Sequence, residues 1–249
     1  MSGLVGAVVS GDGIADVHMR DVSGRNILRE AFVQELLGAL GSLERDERVK
    51  VVILRGLEDV FCGGGEKDTL LGLCDGRVTT QDLLVSEKLL AVAVPVVAAM
   101  EGHAMGGGLV MAACCDMAVA ARESRYGAVF MNMGFTPGMG CTTLLELLVG
   151  PFVASEMMFT GRRFRGSQLE GRGTNINYIV PRAEVLAKGR DLAAQVAEKN
   201  LRSLRLLKHA LVARKKELLV KARLQEDLMH QLSFSFPETR ATIEEKYVE

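Results

Sequence analysis

The order of apolar and polar positions predicts alternating strands and helices over roughly the first half of the chain. VGAVVS (5–10) and IADVHMRD (14–21) predict two short strands joined by the turn GDG. The segment 26–46 has apolar residues at intervals of three and four, which predicts a helix. KVVILRG (50–56) and PVVAAM (95–100) are apolar on both faces, like strands inside a parallel sheet. This alternation is typical of an α/β domain.

Helical periodicity dominates after residue 140. We expect helices in GCTTLLELLVG, PFVASEMMFTG, AEVLAKGRDLAAQVAEK and LRSLRLLKHALVARKKELLVKARLQEDLMHQLSF, with one short strand at NYIVP between them. Between the earlier strands we expect further helices over Gln81–Ala91 and in GGGLVMAACC, and a strand in DMAVAA. The helical C-terminal third is expected to pack on the α/β part or on a neighbouring subunit.

Composition narrows the class of protein. The chain has 249 residues, 48% of them apolar, and a net charge of −1, so it can bury a sizeable core and lacks the basic excess of nucleic-acid binders. Five cysteines without CxxC spacing suggest neither a disulfide framework nor a zinc site and favour a reducing cytoplasm. The N-terminal residues MSGLVGAVVSGDG show no basic region followed by an apolar run, so we expect no secretory signal. Pro95, Glu101 and several glycines interrupt the apolar region 89–120, which therefore predicts a buried strand, turn and helix rather than a membrane span.

Two glycine-rich turns follow predicted strands. FCGGGEKD (61–68) comes after KVVILRG, and the glycines 106–108 come after PVVAAM and open a helix. The first turn does not match a phosphate-binding P-loop, which needs GxxxxGK followed by Ser or Thr. Helix N-termini carry unpaired N–H groups, and glycine lets a ligand approach them closely. Together the turns predict an oxyanion hole with one N–H from each. Taken alone, the first turn also fits a tight bend with a solvated Lys67.

The order of these motifs resembles the crotonase, or enoyl-CoA hydratase/isomerase, superfamily. The resemblance runs through VVILRG, FCGGGEKD, GHAMGGGLVMAACCDMAVA and GFTPG and covers nearly the whole chain. It implies a crotonase fold, with a ββα spiral core over 1–195 and a helical region over 196–249 that takes part in trimerisation and covers the active site. It also implies a homotrimer or dimer of trimers. The implied ligand is an acyl thioester on a phosphopantetheine arm, with Gly65 and Gly107 supplying the oxyanion-hole N–H groups.

Two positions depart from the hydratases of this family. The resemblance implies that hydratases have one glutamate where this chain has Val110 and a second where it has Phe130. Neither side chain can transfer a proton, so hydration of an enoyl thioester is not expected and simple isomerisation is disfavoured. We expect Val110 and Phe130 to line an apolar substrate pocket that limits the solvation of a substrate carboxylate.

Lys67 and His230 are the side chains predicted to take part in the chemistry. Lys67 follows Gly65 by two residues, and His230 lies in QEDLMHQLSF near the C-terminus. With both glutamates absent, the pair resembles the decarboxylase branch of polyketide β-branching cassettes, which acts on 3-methylglutaconyl groups carried by an acyl carrier protein. The resemblance implies a 3-methylcrotonyl-type product formed through an oxyanion-stabilised dienolate. Lys67 would hold the departing carboxylate, and His230 would protonate the dienolate or only position the carboxylate. No metal or organic cofactor is implied.

Two other functions stay open at the level of the sequence. The first is another crotonase reaction on an acyl-CoA, such as isomerisation, hydration or hydrolysis, with Lys67 or His230 as base. The second is a family member that binds acyl carriers without catalysis. An acyl carrier brings an acidic surface, so Arg162, Arg163, Arg165 or the cluster Lys208–Lys216 are candidate docking residues.

Overall fold

The structure is a computed structural model that describes residues 3–78 and 84–247. Its strands in chain order are β1 (Val5–Val9), β2 (Ile14–Met19), β3 (Ile27–Leu28), β4 (Val51–Arg55), β5 (Val60–Cys62), β6 (Gly64–Gly65), β7 (Val96–Met100), β8 (His103–Met105), β9 (Met117–Ala121), β10 (Arg125–Gly127), β11 (Phe164–Arg165) and β12 (Tyr178–Val180). Its α-helices are α1 (Glu30–Glu44), α2 (Lys67–Cys74), α3 (Val85–Ala91), α4 (Gly107–Cys114), α5 (Cys141–Val149), α6 (Pro151–Thr160), α7 (Gly166–Glu170), α8 (Arg182–Ala197), α9 (Leu201–Ser233) and α10 (Pro237–Lys246). A short 3₁₀ helix covers Phe130–Met133.

The main sheet has the strand order β1-β2-β4-β7-β9-β12. β1 pairs antiparallel with β2, and the later pairs are parallel. Both faces of the sheet are covered: Val51 and Ile53 pack with residues of α8, whereas Val52 and Leu54 belong to the larger core that contains α1 and α4. Because alternate strand residues point to opposite faces, a strand covered on both sides must be apolar throughout. That requirement explains the unbroken apolar run of β4.

A second sheet with the order β11-β10-β8-β5 and the small parallel pair β3-β6 lie beside the main sheet. The chain passes from a strand of the main sheet to a strand of the second sheet and then to a helix. It does so at β4, β5 and α2, again at β7, β8 and α4, and again at β9, β10 and α5. These three turns form the ββα spiral predicted from the sequence. In the first two turns, the strand ends and helix starts at 65–67 and 105–107 line a common cavity.

The C-terminal part is helical, as predicted. The predicted division between residues 195 and 196 falls in the last turn of α8, and α9 begins four residues after that helix ends. The helix predicted over Gln81–Ala91 begins at Val85, and residues 81–83 lie outside the described residues. Within the described ranges, no helix combines the length and apolarity needed to cross a bilayer. All five cysteines are unpaired, in line with the absence of CxxC spacing.

Candidate active site

The two glycine turns lie side by side, and steric space explains their composition. Gly64 has φ +97°, and a Cβ atom there would lie 2.9 Å from the carbonyl oxygen of Met105. Gly106 has φ +51°, a left-handed conformation that L side chains rarely adopt. At Gly107 a Cβ would lie 2.7 Å from both Leu28 Cδ1 and Met139 Sδ. Larger residues are therefore excluded at positions 64, 106 and 107.

Gly107 is the first residue of α4, so its N–H group belongs to the helical turn that has no intrahelical acceptor. Gly65 ends β6 and lines the same cavity as Gly107. The positive end of the α4 dipole faces this cavity and favours negative charge there. Both glycine turns therefore line one cavity at the N-terminus of α4, where the sequence predicts the oxyanion hole.

A cavity of about 540 Å³ joins the predicted site residues. It is lined by Gly65, Gly107, Lys67, Phe130 and His230, which come from four separate parts of the chain. The volume lies in the range of sites for small molecules and cofactors. The fold thus brings together Lys67 and His230, which are more than 160 positions apart in the sequence.

The two apolar residues predicted to form the substrate pocket lie in different surroundings. Phe130 lines the cavity, with its ring edge-to-face against Phe135 at a centroid distance of 6.0 Å. Val110 lies in α4, is fully buried in the main core and is not among the described residues that line the cavity. Val110 lies on the same helical face as Gly107, three positions on, but every residue of α4 is buried, so its side chain packs in the core. Val110 contributes packing behind the wall of the site.

Lys67 is the first residue of α2 and is half-buried. Its Nζ donates a hydrogen bond to the carbonyl oxygen of Glu244, at 3.2 Å, in the last turn of α10. Carbonyl groups in the last turn of a helix lack intrahelical partners and carry partial negative charge. Lys67 therefore has a weak, replaceable partner at the edge of the cavity.

His230 presents one ring nitrogen to the backbone and leaves the other unpaired. Nε2 lies 2.9 Å from the carbonyl oxygen of Thr136, and a carbonyl can only accept, so Nε2 carries a proton. Nδ1 is buried and has no hydrogen-bond partner within the described part of the chain. Burial lowers the pKa of His230, an effect partly offset by the Thr136 carbonyl and by Glu226. The ring is fixed tightly, because a Cβ on Gly138 would lie 2.3 Å from its Cε1 atom.

Tyr247 is a site residue that the sequence did not predict. Its hydroxyl donates to the carbonyl oxygen of Gly65 at 2.8 Å, and its side chain lines the cavity. The contact joins residues 182 positions apart. No local pattern around the last few residues indicates it, since the contact depends on how α10 folds back over α2.

The predicted docking cations divide into two groups. Arg163 lines the cavity, where Arg25 also lies. In the cluster Lys208–Lys216, two lysines make internal contacts: Lys208 is buried and pairs with Asp116 at 2.6 Å, and Lys215 donates to the carbonyl oxygens of Ala113 and Cys115. Arg214 and Lys216 are exposed. Lys208 and Lys215 thus hold α9 against the C-terminal end of α4 and are poorly placed to meet a partner.

Known proteins are similar to this chain in both sequence and architecture. A family model described as enoyl-CoA hydratase/isomerase matches residues 10–249. The bacillaene synthase decarboxylase PksI of Bacillus subtilis is 36% identical over 234 residues, which are 94% of each chain. A solved structure from a dehydratase/decarboxylase enzyme couple involved in polyketide β-branching has a TM-score of 0.96 at 34% identity, covering 99% of this chain and 100% of the other. The ECH2 decarboxylase domain of CurF from Lyngbya majuscula has a TM-score of 0.93 at 32% identity, with the same coverage.

Proposed function

The chain belongs to the enoyl-CoA hydratase/isomerase, or crotonase, family, and within it we propose a decarboxylase that acts on an acyl thioester in polyketide β-branching. The substrate is a 3-methylglutaconyl-type group on the phosphopantetheine arm of an acyl carrier protein, and the product is of the 3-methylcrotonyl type. The observation that carries the proposal is the cavity itself. Lys67 and His230 line it together with both glycine turns, and Phe130 lines it at a position where hydratases have a glutamate.

The oxyanion hole stabilises the negative charge that develops during the proposed reaction. Loss of carbon dioxide breaks the bond between the distal carboxylate and the γ-carbon, and its electron pair moves through the double bond onto the thioester oxygen. The N–H groups of Gly65 and Gly107 stabilise this charged dienolate more than the neutral thioester, which is what lowers a barrier. Losing one such donor typically costs about 3–4 kcal/mol. Because the thioester accepts the electrons, the proposed reaction needs neither a metal nor an organic cofactor.

Lys67 orients the carboxylate that leaves. Its ammonium exchanges the carbonyl of Glu244 for the substrate carboxylate and holds the breaking bond parallel to the π orbitals. Too strong an ion pair would stabilise the ground state and slow the reaction. The edge of the cavity, where Lys67 is only half-buried, suits this intermediate strength.

His230 returns a proton to the dienolate. In the free protein burial keeps the ring mostly neutral, and a substrate carboxylate arriving nearby raises its pKa, since opposite charges favour each other's ionised form. The protonated ring then carries a second N–H at Nδ1, the nitrogen without a partner among the described residues. Transfer of that proton to the α- or γ-carbon restores the neutral ring and completes the exchange of carbon dioxide for hydrogen.

The acyl carrier protein is the proposed partner, and Arg25 and Arg163 at the cavity are the proposed contacts for its acidic surface. We also propose that the chain works in the cytoplasm as a homotrimer or dimer of trimers. Support for assembly comes from α9, whose outer face carries exposed apolar side chains at Val220, Leu224, Leu228 and Leu232.

Intact mass spectrometry of 3-methylglutaconyl-loaded carrier protein tests the proposal. Incubation with the protein is expected to remove the mass of one carbon dioxide, and Lys67→Ala and His230→Ala are expected to slow that loss strongly. A gain in mass of one water would mean hydration instead. An unchanged mass with a carrier that binds would favour a different crotonase reaction, to be sought on acyl-CoA esters, or a binding protein without catalysis.

A further inference from the structure

Glu226 is a buried carboxylate that has no part in the proposed chemistry. It lies in α9 and is 1% exposed. Its Oε2 accepts from the backbone N–H of Gly140 at 2.7 Å, and its Oε1 accepts from the N–H and the hydroxyl of Thr142 at 2.9 and 2.7 Å. Gly140 is the N-cap of α5 and has no side chain to cap the helix itself. Glu226 therefore caps α5 from another helix.

The segment 134–140 lies between this cap and His230. Its C-terminal end is held by Glu226 through Gly140, and its middle contacts the imidazole through Gly138 and the Thr136 carbonyl. Glu226 and His230 are four residues apart on α9, so they share one face of the helix and hold the same segment at two points. Displacing either end of the segment would move the Thr136 carbonyl that selects the Nε2–H tautomer.

The charges around His230 are unevenly distributed. On its own helix, Glu226 and Asp227 favour the protonated ring and Arg223 disfavours it. Arg223 itself pairs with Glu87 of α3 at 3.3 Å. The segment 134–140 has no ionisable side chain, and Lys67 stands at the same cavity on α2. Glu226 makes the largest contribution of any charge to the proton affinity of the ring.

We propose that Glu226 is the positioning residue of His230: it holds segment 134–140 so that the Thr136 carbonyl keeps the Nε2–H group of the ring in place beside the cavity. The negative charge of Glu226 also favours the protonated imidazole. The proposal rests on the proposed function for its catalytic consequence. The effects of Glu226 on the pKa and the tautomer of His230 can be measured in the free protein. Glu226 is not among the described residues that line the cavity, so in this proposal it acts through the segment and through its charge.

Glu226→Gln tests the charge. In an NMR titration of the imidazole Cε1–H signals, assigned with His230→Gln, the pKa of His230 is expected to fall by roughly one unit in Glu226→Gln, as is typical when a nearby opposite charge is removed. Thr142→Val is the matched control, because it removes one hydrogen bond to Glu226 and keeps the carboxylate. The pKa of His230 is expected to stay within a few tenths of a unit in that variant. An unchanged pKa in Glu226→Gln would overturn the proposal.

Glu226→Asp tests position and serves where Glu226→Gln does not fold. It keeps the charge and shortens the reach to Gly140 and Thr142. The proposal expects a pKa of His230 close to that of the natural protein, but carbon-13 shifts that report a mixed tautomer and a lower kcat at unchanged KM. A pure Nε2–H tautomer in this variant would overturn the positioning role. The titrations need no substrate, so they succeed or fail independently of the decarboxylase assignment.

The negative charge of Glu226 is also expected to affect the pH profile of decarboxylation. Activity is lost as pH rises through the pKa of His230 in the substrate complex, because the proton donor disappears. Removing the negative charge of Glu226 lowers that pKa, so the alkaline limb of the profile is expected to move to lower pH in Glu226→Gln and to stay in place in Thr142→Val. A Glu226→Gln limb that superimposes on that of the natural protein would contradict the proposal.

Discussion

Lys67 has a partner in the free protein, the Glu244 carbonyl, and a proposed second partner in the substrate. Replacing Lys67 with Met keeps a straight apolar side chain and removes the charge that orients the carboxylate. We expect kcat for carbon dioxide release to fall about 100-fold, the scale of a misplaced reacting group. Rapid-quench mass spectrometry measures the rate. Lys199→Met, at an exposed site between α8 and α9, is the control and should retain full activity. Equal rates in both variants would remove Lys67 from the mechanism.

Burial of His230 makes stability depend on pH in a defined direction. The folded pKa lies below the unfolded value of about 6.5, so the unfolded state binds more protons in that window. The free energy of unfolding is therefore unaffected by protonation of His230 above about pH 6.5 and falls as the pH drops toward the lowered folded pKa. The loss is up to about 1.4 kcal/mol for each pH unit between the two pKa values. Urea unfolding at several pH values measures it.

His230→Gln is the matched variant for that measurement. The glutamine amide can still donate to the Thr136 carbonyl but cannot titrate. We expect this variant to lose the part of the pH dependence that His230 causes and to be inactive as a proton donor. A steeper acid dependence in His230→Gln than in the natural protein would show that folding stabilises the charged ring and raises its pKa, the opposite of the expected direction.

Individual functional residues could be predicted from the sequence only where a local motif marks them. Lys67 and the glycines were predictable because a turn motif marks them. Tyr247, Glu226 and the Thr136 carbonyl were not, since each acts through a contact with a distant segment. Val110 was assigned to the pocket from its sequence position, but α4 is buried along its whole length and Val110 packs in the core, which a motif does not encode.

Among the elements, α10 connects the end of the described chain to both parts of the first glycine turn. Lys67 donates to its last turn, and Tyr247 just beyond it donates to Gly65. Tyr247→Phe removes only the hydroxyl, so the Gly65 peptide loses one restraint. We expect kcat to fall about two- to tenfold, the usual worth of one hydrogen bond, with KM little changed. Steady-state kinetics on the loaded carrier protein separates the two constants.

Arg240→Ala is the control for that variant. Arg240 also joins α10 to α2, through Asp75, but both side chains are partly exposed, and such ion pairs contribute little. We expect it to leave kcat within a factor of about two. If Arg240→Ala impaired kcat as much as Tyr247→Phe, the effect would belong to the docking of α10 and not to the hydroxyl on Gly65.

Long elements were predicted well and short ones poorly. β4, β7, α1 and α9 each have enough residues for a hydrophobic period to be recognised. β3 and β6 have two residues each and exist only because they pair with one another, so no period can reveal them. β6 carries Gly65, which means that the motif, and not the secondary-structure pattern, located this half of the candidate oxyanion hole.

For the whole molecule, α9 links the candidate site to the proposed assembly. Its inner face carries Glu226 and His230, and its outer face carries Val220, Leu224, Leu228 and Leu232, four exposed residues spaced by four. Residues at that spacing form one stripe on a helix. A contiguous apolar stripe in water is a candidate subunit contact, since covering it gains about 25 cal/mol for each Å² of apolar surface.

The stripe predicts a change of oligomeric state on substitution. In light-scattering chromatography the natural protein is expected to elute as a trimer or a dimer of trimers, and Leu224→Glu combined with Leu228→Glu as a monomer, because two charges cannot be buried in an apolar contact without partners. Val8→Glu on β1, also at an exposed apolar position, is expected to leave the assembly intact. Since α9 also positions His230, the monomeric variant should lose kcat together with its assembly. A natural protein that is monomeric at micromolar concentration, yet fully active, would show that the stripe serves a different partner.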